Sequence, residues 1–168
     1  MRQDYEDKVM KHYTRVAQES GLSASCTMED EYIREGESRA ILRLIELAAK
    51  SAAASLRVLD VGCGSGLLTF YFTDVARYVG LDIVRHPQHA GLKGAKKLFL
   101  QSDAQHIPIM NGAADRIVCL DSFEHYPDQN LAAREFYRIL KPGGAVTCVT
   151  VALTCVDMRV VSWSRQNR

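Results

Sequence analysis

A chain of 168 residues, 47% apolar and 24% charged, carries enough material for one well-filled globular domain and too little for two ordinary ones. A formal charge of +1 provides no general attraction for nucleic acid or an anionic membrane. The five cysteines, Cys26, Cys63, Cys119, Cys148 and Cys155, show no C-x-x-C spacing, which argues against a disulfide framework or a zinc knuckle and for reduced thiols in the cytoplasm. The opening MRQDYEDKVMKHY is too charged for a signal peptide, and no apolar run approaches the length of a membrane span.

Taken in chain order, Tyr5, Val9, Tyr13 and Val16 predict a helix over residues 4–20 that lies on another surface. Residues 21–27, rich in Ser and Ala, read as a loop. Residues 28–54 carry a broad apolar helical face, broken near Gly36 and Ser38 into two pieces. Strands are predicted at 57–61, 77–82, 98–101, 115–121 and 144–151, and helices at 66–75 and 128–140. Asp128 is placed to cap the second of these helices, and Lys141-Pro142-Gly143-Gly144 reads as a structural turn. This alternation is that of a parallel sheet covered on both faces.

The crossover IVRHPQHAGLKGAKK, interrupted by Pro87, Gly91 and Gly94, is too broken for a full helix. Its cations Arg85, Lys93, Lys96 and Lys97 read as a solvated basic loop. His86 and His89 lack a third ligand nearby in sequence, so no metal is expected.

The most specific chemistry lies in RVLDVGCGSG, residues 57–66. Gly62, Gly64 and Gly66 alternate after an apolar strand, so the chain can turn sharply and bring its amides close to a ligand. A dinucleotide turn of the form G-x-G-x-x-G would need a small residue at Leu67, which disfavours a nicotinamide-dependent oxidoreductase. Twenty residues beyond Gly62, the strand ending GLD places Asp82 where a carboxylate can accept bonds from both hydroxyls of a ribose.

The G-x-G-x-G turn with Asp60 before it, the acids Asp82 and Asp103 after two strands, the segment DRIVCLDSFEHYPD and the KPGG turn occur in one order. This pattern resembles that of the class I S-adenosylmethionine-dependent methyltransferases, and the likeness is specific across residues 57–151. The resemblance implies an α/β Rossmann-like, mainly parallel sheet of about five strands flanked by helices. Class I methyltransferases usually add a C-terminal hairpin, and with about 17 residues after the fifth strand this chain is expected to be C-terminally shortened. The expected organisation is a single domain, with a helical cap at 1–54, a cofactor-binding core at 55–152 and a short tail at 153–168.

The resemblance also implies site residues. Asp60, Gly62, Gly64 and Gly66 form the cofactor turn, and Asp82 takes the ribose while Ile83 packs on the adenine. Asp103 and Ala104 face the adenine edge, and Asp121 and Ser122 line the methionine end. His125, with Glu124 second, is the candidate base for a hydroxyl, phenol or carbon acid, and Tyr13 is a candidate cover for the sulfonium or acceptor. The expected reaction is methyl transfer from S-adenosyl-L-methionine to a small-molecule acceptor, leaving S-adenosyl-L-homocysteine. The alternative is an inactive cofactor-binding domain that regulates or scaffolds a partner. An open edge on the fifth strand is expected to be covered by residues 156–163 folding back or by a second copy of the chain.

Overall fold

The computed structural model describes residues 2–19, 55–151 and 158–165. The helical pieces predicted over 28–54, and part of the tail, lie outside the described residues. The elements are α1 (Arg2–Glu19), β1 (Arg57–Val61), β2 (Arg77–Asp82), a one-turn α2 (His89–Leu92), β3 (Lys97–Gln101), β4 (Ala114–Leu120), α3 (Gln129–Ile139), β5 (Leu140–Val151) and β6 (Met158–Ser164). The strands form one six-stranded sheet in the order β3-β2-β1-β4-β5-β6. β1 to β5 pair in parallel and β6 runs antiparallel to β5. All five parallel strands therefore end on the same side, and the order reverses between β1 and β4, where open α/β sheets form their ligand crevice.

β1 and β2 occupy the predicted ranges, and their apolar runs explain why: Val58, Leu59, Val61, Tyr78 and Leu81 are all buried, as strands covered on both faces require. On one face Leu59, Val61, Ile117 and Val146 pack against Ala132, Phe136 and Ile139 of α3. That helix begins where expected, because Asp128 Oδ1 accepts from the amides of Asn130 at 3.0 Å and Leu131 at 3.1 Å. Arg165 closes its other end, donating to Leu140 O at 2.7 Å while its guanidinium lies 4.6 Å from the Tyr137 ring centre.

The opposite face corrects one expectation. No α-helix forms over 66–75; the segment makes a single 3-10 turn at Leu67–Phe70. Leu68, Phe72 and Val75 are nevertheless buried together against Val58, Tyr78 and Val118, so the spacing that suggested a helix does mark an inward face. Thr69 tightens the turn by placing both its amide and its hydroxyl on Gly66 O, at 3.1 and 2.8 Å. The run of Thr, Phe, Tyr and Val that follows has weak helix propensity.

The C-terminal side adds a strand. The five parallel strands expected are present, and a sixth, antiparallel strand, β6, covers β5 from Ala145 to Val151. Of the two covers expected for that edge, the C-terminal residues folding back or a second copy of the chain, the structure has the first along this stretch. The KPGG segment lies inside β5 as an irregularity: pairing skips from Ala114↔Leu140 to Arg116↔Ala145. Gly143, at φ 77, donates to Arg165 O at 2.7 Å. Lys141 and Arg57 both pair with buried Asp115, tying together the amino ends of β1 and β4 and the start of β5. Burial alone would raise that carboxyl, but its bonds to Arg57 and Lys141 prevail and hold it at about 2.

Candidate functional site

The turn after β1 is built as its glycines suggest. Gly62, Gly64 and Gly66 have φ of 74, 50 and 89°, a left-handed region that costs other residues roughly 1–2 kcal/mol each. Their surroundings differ. A Cβ at Gly62 would lie 2.3 Å from Ser122 Oγ, and one at Gly66 2.9 Å from Leu92 and Phe99, so these two are close-packed against protein. Among the described residues nothing lies within 4 Å of a Cβ at Gly64, so on their side the middle of the turn faces open space.

Asp82, at the end of β2, reaches into this turn. Its carboxylate accepts from Gly64 N at 2.8 Å and Val84 N at 2.9 Å, leaving lone pairs for further donors. Ile83 follows it, half-buried. At the end of β3, Asp103 accepts from the Gln105 backbone at 2.8 Å and side chain at 3.1 and 3.0 Å, and Ala104 is buried beside it. At the end of β4, Asp121 has a positive φ of 48° and its amide donates to Val149 O at 2.9 Å. Ser122 lies against Gly62. The structure thus brings the turn and the exits of β2, β3 and β4 to one end of the sheet.

Asp60 is placed differently from the other predicted site residues. It is 2% exposed, lies beneath the turn and accepts a hydrogen bond from the hydroxyl of Tyr78. Burial pushes its carboxyl up to about 7; the Tyr78 bond opposes this and the nearby Asp82 charge adds to it. A carboxyl raised on folding keeps its proton in the native state after the unfolded chain has lost it, so stability falls as pH rises from about 4 to about 7. Thermal midpoints of the ligand-free protein are therefore expected to decline between pH 5 and 7 and level off above. Asp60→Asn should flatten that slope, and an unchanged slope in the variant would show that another group causes it.

Several contributing residues were not legible as site residues in the sequence. Tyr78 holds Asp60. His89, whose position in HPQH suggested only a weak metal ligand, stacks on Phe99 with ring centres 4.1 Å apart and bonds Gly64 O at 2.8 Å, so its Nε2 carries the proton. Burial lowers the pKa of both His86 and His89. Among the described residues no group of three or more His, Cys, Asp or Glu is arranged to hold a metal. Of these signals only His89 stood out in the sequence; Tyr78 becomes visible once β2 is paired beside β1.

On the far side of the crevice, Glu124 and His125 lie in a 3-10 turn at Phe123–His125. Glu124 is half-buried and His125 exposed. The His125 ring meets Tyr13 of α1 edge-on at 5.7 Å, so the N-terminal helix reaches the exit of β4. No helix among the described residues is long and apolar enough to cross a membrane.

Comparison with known proteins points to one family. The chain is 32% identical over 120 residues to a ubiquinone biosynthesis O-methyltransferase of Xanthomonas oryzae, covering 67% of this chain and 50% of that protein. It is 33% identical over 95 residues to the chloroplastic 2-methyl-6-phytyl-1,4-hydroquinone methyltransferase of Arabidopsis thaliana, covering 53% and 28%. Among solved structures, the YcgJ protein of Bacillus subtilis superposes with a TM-score of 0.59 at 28% identity, covering 67% of this chain and 50% of that one. The [4+2]-cyclase SpnF superposes at 0.60 with 24% identity, covering 84% and 56%, a likeness of fold alone. The chain spans about half the length of the ubiquinone-pathway relative. With a match to the methyltransferase domain model over residues 59–148, which is more than half of its length, the chain belongs to the methyltransferase domain family.

Proposed function

We propose that this chain binds S-adenosylmethionine at the carboxyl ends of β1 to β4 and serves an O-methyltransferase whose acceptor is a small phenol or hydroquinone. The observation that carries the cofactor assignment is the open side of Gly64, next to the Asp82 carboxylate that spans the turn. A flat ribose-bearing ligand needs both: space where a side chain would otherwise stand, and an acceptor for its hydroxyls. The names of the Xanthomonas and Arabidopsis relatives support the acceptor class.

In this reading Asp82 takes the ribose hydroxyls, Ile83 packs on the adenine, and Asp103 and Ala104 face its polar edge. Gly62, Gly64 and Gly66 bring backbone against the ligand while Asp60 supports the turn from below. Asp121 and Ser122 line the methionine end. When bound, S-adenosylmethionine supplies an activated methyl group on sulfur. The chain's own work is to orient that group, exclude water and accept the acceptor's proton. His125, or Glu124 as the second candidate, receives the proton, with Tyr13 against the His125 ring. Positioning of this kind lowers a barrier by about 7–11 kcal/mol in well-oriented cases. Buried free thiols at Cys63, Cys119 and Cys148 fit a reducing compartment such as the cytoplasm.

Thermal denaturation and calorimetry with S-adenosylhomocysteine and with NAD test the cofactor. S-adenosylhomocysteine at 100 times its dissociation constant is expected to add about 2.7 kcal/mol, a rise of roughly 5–10 °C for a domain of this size, with no change from NAD. Absence of a shift with S-adenosylhomocysteine would sink the assignment. Transfer of labelled methyl to a catechol then separates an enzyme from a regulatory binder.

A further inference from the structure

The peptide that opens the glycine turn is held from two sides. Its N–H, on Gly62, donates to Leu81 O at 2.8 Å, on the β2 side. Its carbonyl, on Val61, accepts from Ser122 Oγ at 3.2 Å, on the β4 side. Ser122 has a single proton and the carbonyl can only accept, so that proton is committed to Val61. The Tyr126 hydroxyl, 2.9 Å from Ser122 Oγ, is then the donor of the bond between them. Cys119 Sγ completes a triangle, 3.1 Å from Ser122 Oγ and 3.5 Å from the Tyr126 hydroxyl. Cys119 is directly paired in register with Cys148 of β5. The Tyr126 ring is set by Phe123, edge-on with centres 5.7 Å apart.

We infer that Tyr126 is a positioning residue for the cofactor turn: by donating to Ser122 it aims the Ser122 hydroxyl at the Val61 carbonyl and so fixes the tilt of the Val61–Gly62 peptide. The close approach of Ser122 to Gly62, which leaves no room for a Cβ, makes the coupling mechanical as well as polar. Without the phenol hydroxyl, Ser122 Oγ is free to turn toward Cys119 and release the carbonyl. The inference rests on the cofactor reading above and adds a residue to it.

Tyr126→Phe keeps the ring and removes one oxygen. It is expected to weaken S-adenosylhomocysteine binding by roughly 3- to 10-fold, the size of one hydrogen bond, while moving the melting midpoint of the ligand-free protein by no more than about 4 °C. Ser122→Ala should lose a similar factor, and the double variant should bind no worse than the weaker single one, because both remove the same link. A Tyr126→Phe affinity within twofold of the unaltered chain, or losses that multiply in the double variant, would overturn the inference. If Tyr126→Phe shows no cooperative melting, Ser122→Ala carries the test alone, and unchanged affinity there overturns the inference equally. Failure of the unaltered chain to bind S-adenosylhomocysteine removes the cofactor reading and this inference together; binding by the unaltered chain with indifferent variants removes only this inference.

Discussion

Replacing Gly62 by alanine is expected to lower the thermal midpoint by roughly 5–15 °C and to abolish measurable binding of S-adenosylhomocysteine. Two costs add. A residue with a Cβ at φ 74° is strained by about 1–2 kcal/mol. The new methyl would also stand 2.3 Å from Ser122 Oγ and 2.5 Å from its Cβ, and overpacking of that kind costs typically about 1–3 kcal/mol. For a domain of this size each kcal/mol moves the midpoint by roughly 2–4 °C. Because Ser122 also holds the Val61 carbonyl, it cannot yield without freeing the turn. Gly64→Ala provides the contrast. Among the described residues nothing lies within 4 Å of its Cβ, so the midpoint should fall by only the strain term, while affinity drops more than about 10-fold if a ligand occupies the open side. Circular dichroism melts and calorimetry on the two variants read both quantities. Full affinity in Gly64→Ala would show that the open side is not where the ligand lies.

Asp82→Ala is the second large effect. The change removes the acceptor for Gly64 N at 2.8 Å and for Val84 N at 2.9 Å, together with the proposed acceptor for the ribose hydroxyls. Hydrogen bonds to a charged group contribute about 1.5–3 kcal/mol each, so affinity for S-adenosylhomocysteine is expected to fall at least about 100-fold. Asp82→Asn, with the same shape and one acceptor oxygen retained, should bind with an affinity between those of Asp82→Ala and the unaltered chain. The measurement is isothermal titration, with a melt of the ligand-free variant to separate lost binding from lost fold. Affinity within about threefold of the unaltered chain in Asp82→Ala would remove the ribose assignment.

The parts of the fold that the sequence predicted well are local. Leu59, Val61 and Leu81 belong to short apolar runs that marked β1 and β2 as strands, and the predicted bounds agree with the structure. Asp128 caps α3 by bonding amides two and three residues ahead, a contact within the reach of sequence reasoning. The apolar spacing of Leu68, Phe72 and Val75 predicted their burial correctly and their helix wrongly. Periodicity reports which side chains face inward, whereas the backbone path also depends on propensity and on the geometry of the turn before it.

The sequence by itself determined the alternating strands, the three positive-φ glycines of the turn after β1 and the acids at the ends of β2 and β3, because each depends on a residue's own stereochemistry or on neighbours a few positions away. Only the tertiary structure decided that Tyr78 would lie under Asp60, that Ser122 would press on Gly62 from 60 residues away with Tyr126 behind it, and that β6 would close the edge of β5. Those contacts follow from which strands pair and in which register. Register is set by the packing of both sheet faces together, a property of no single segment.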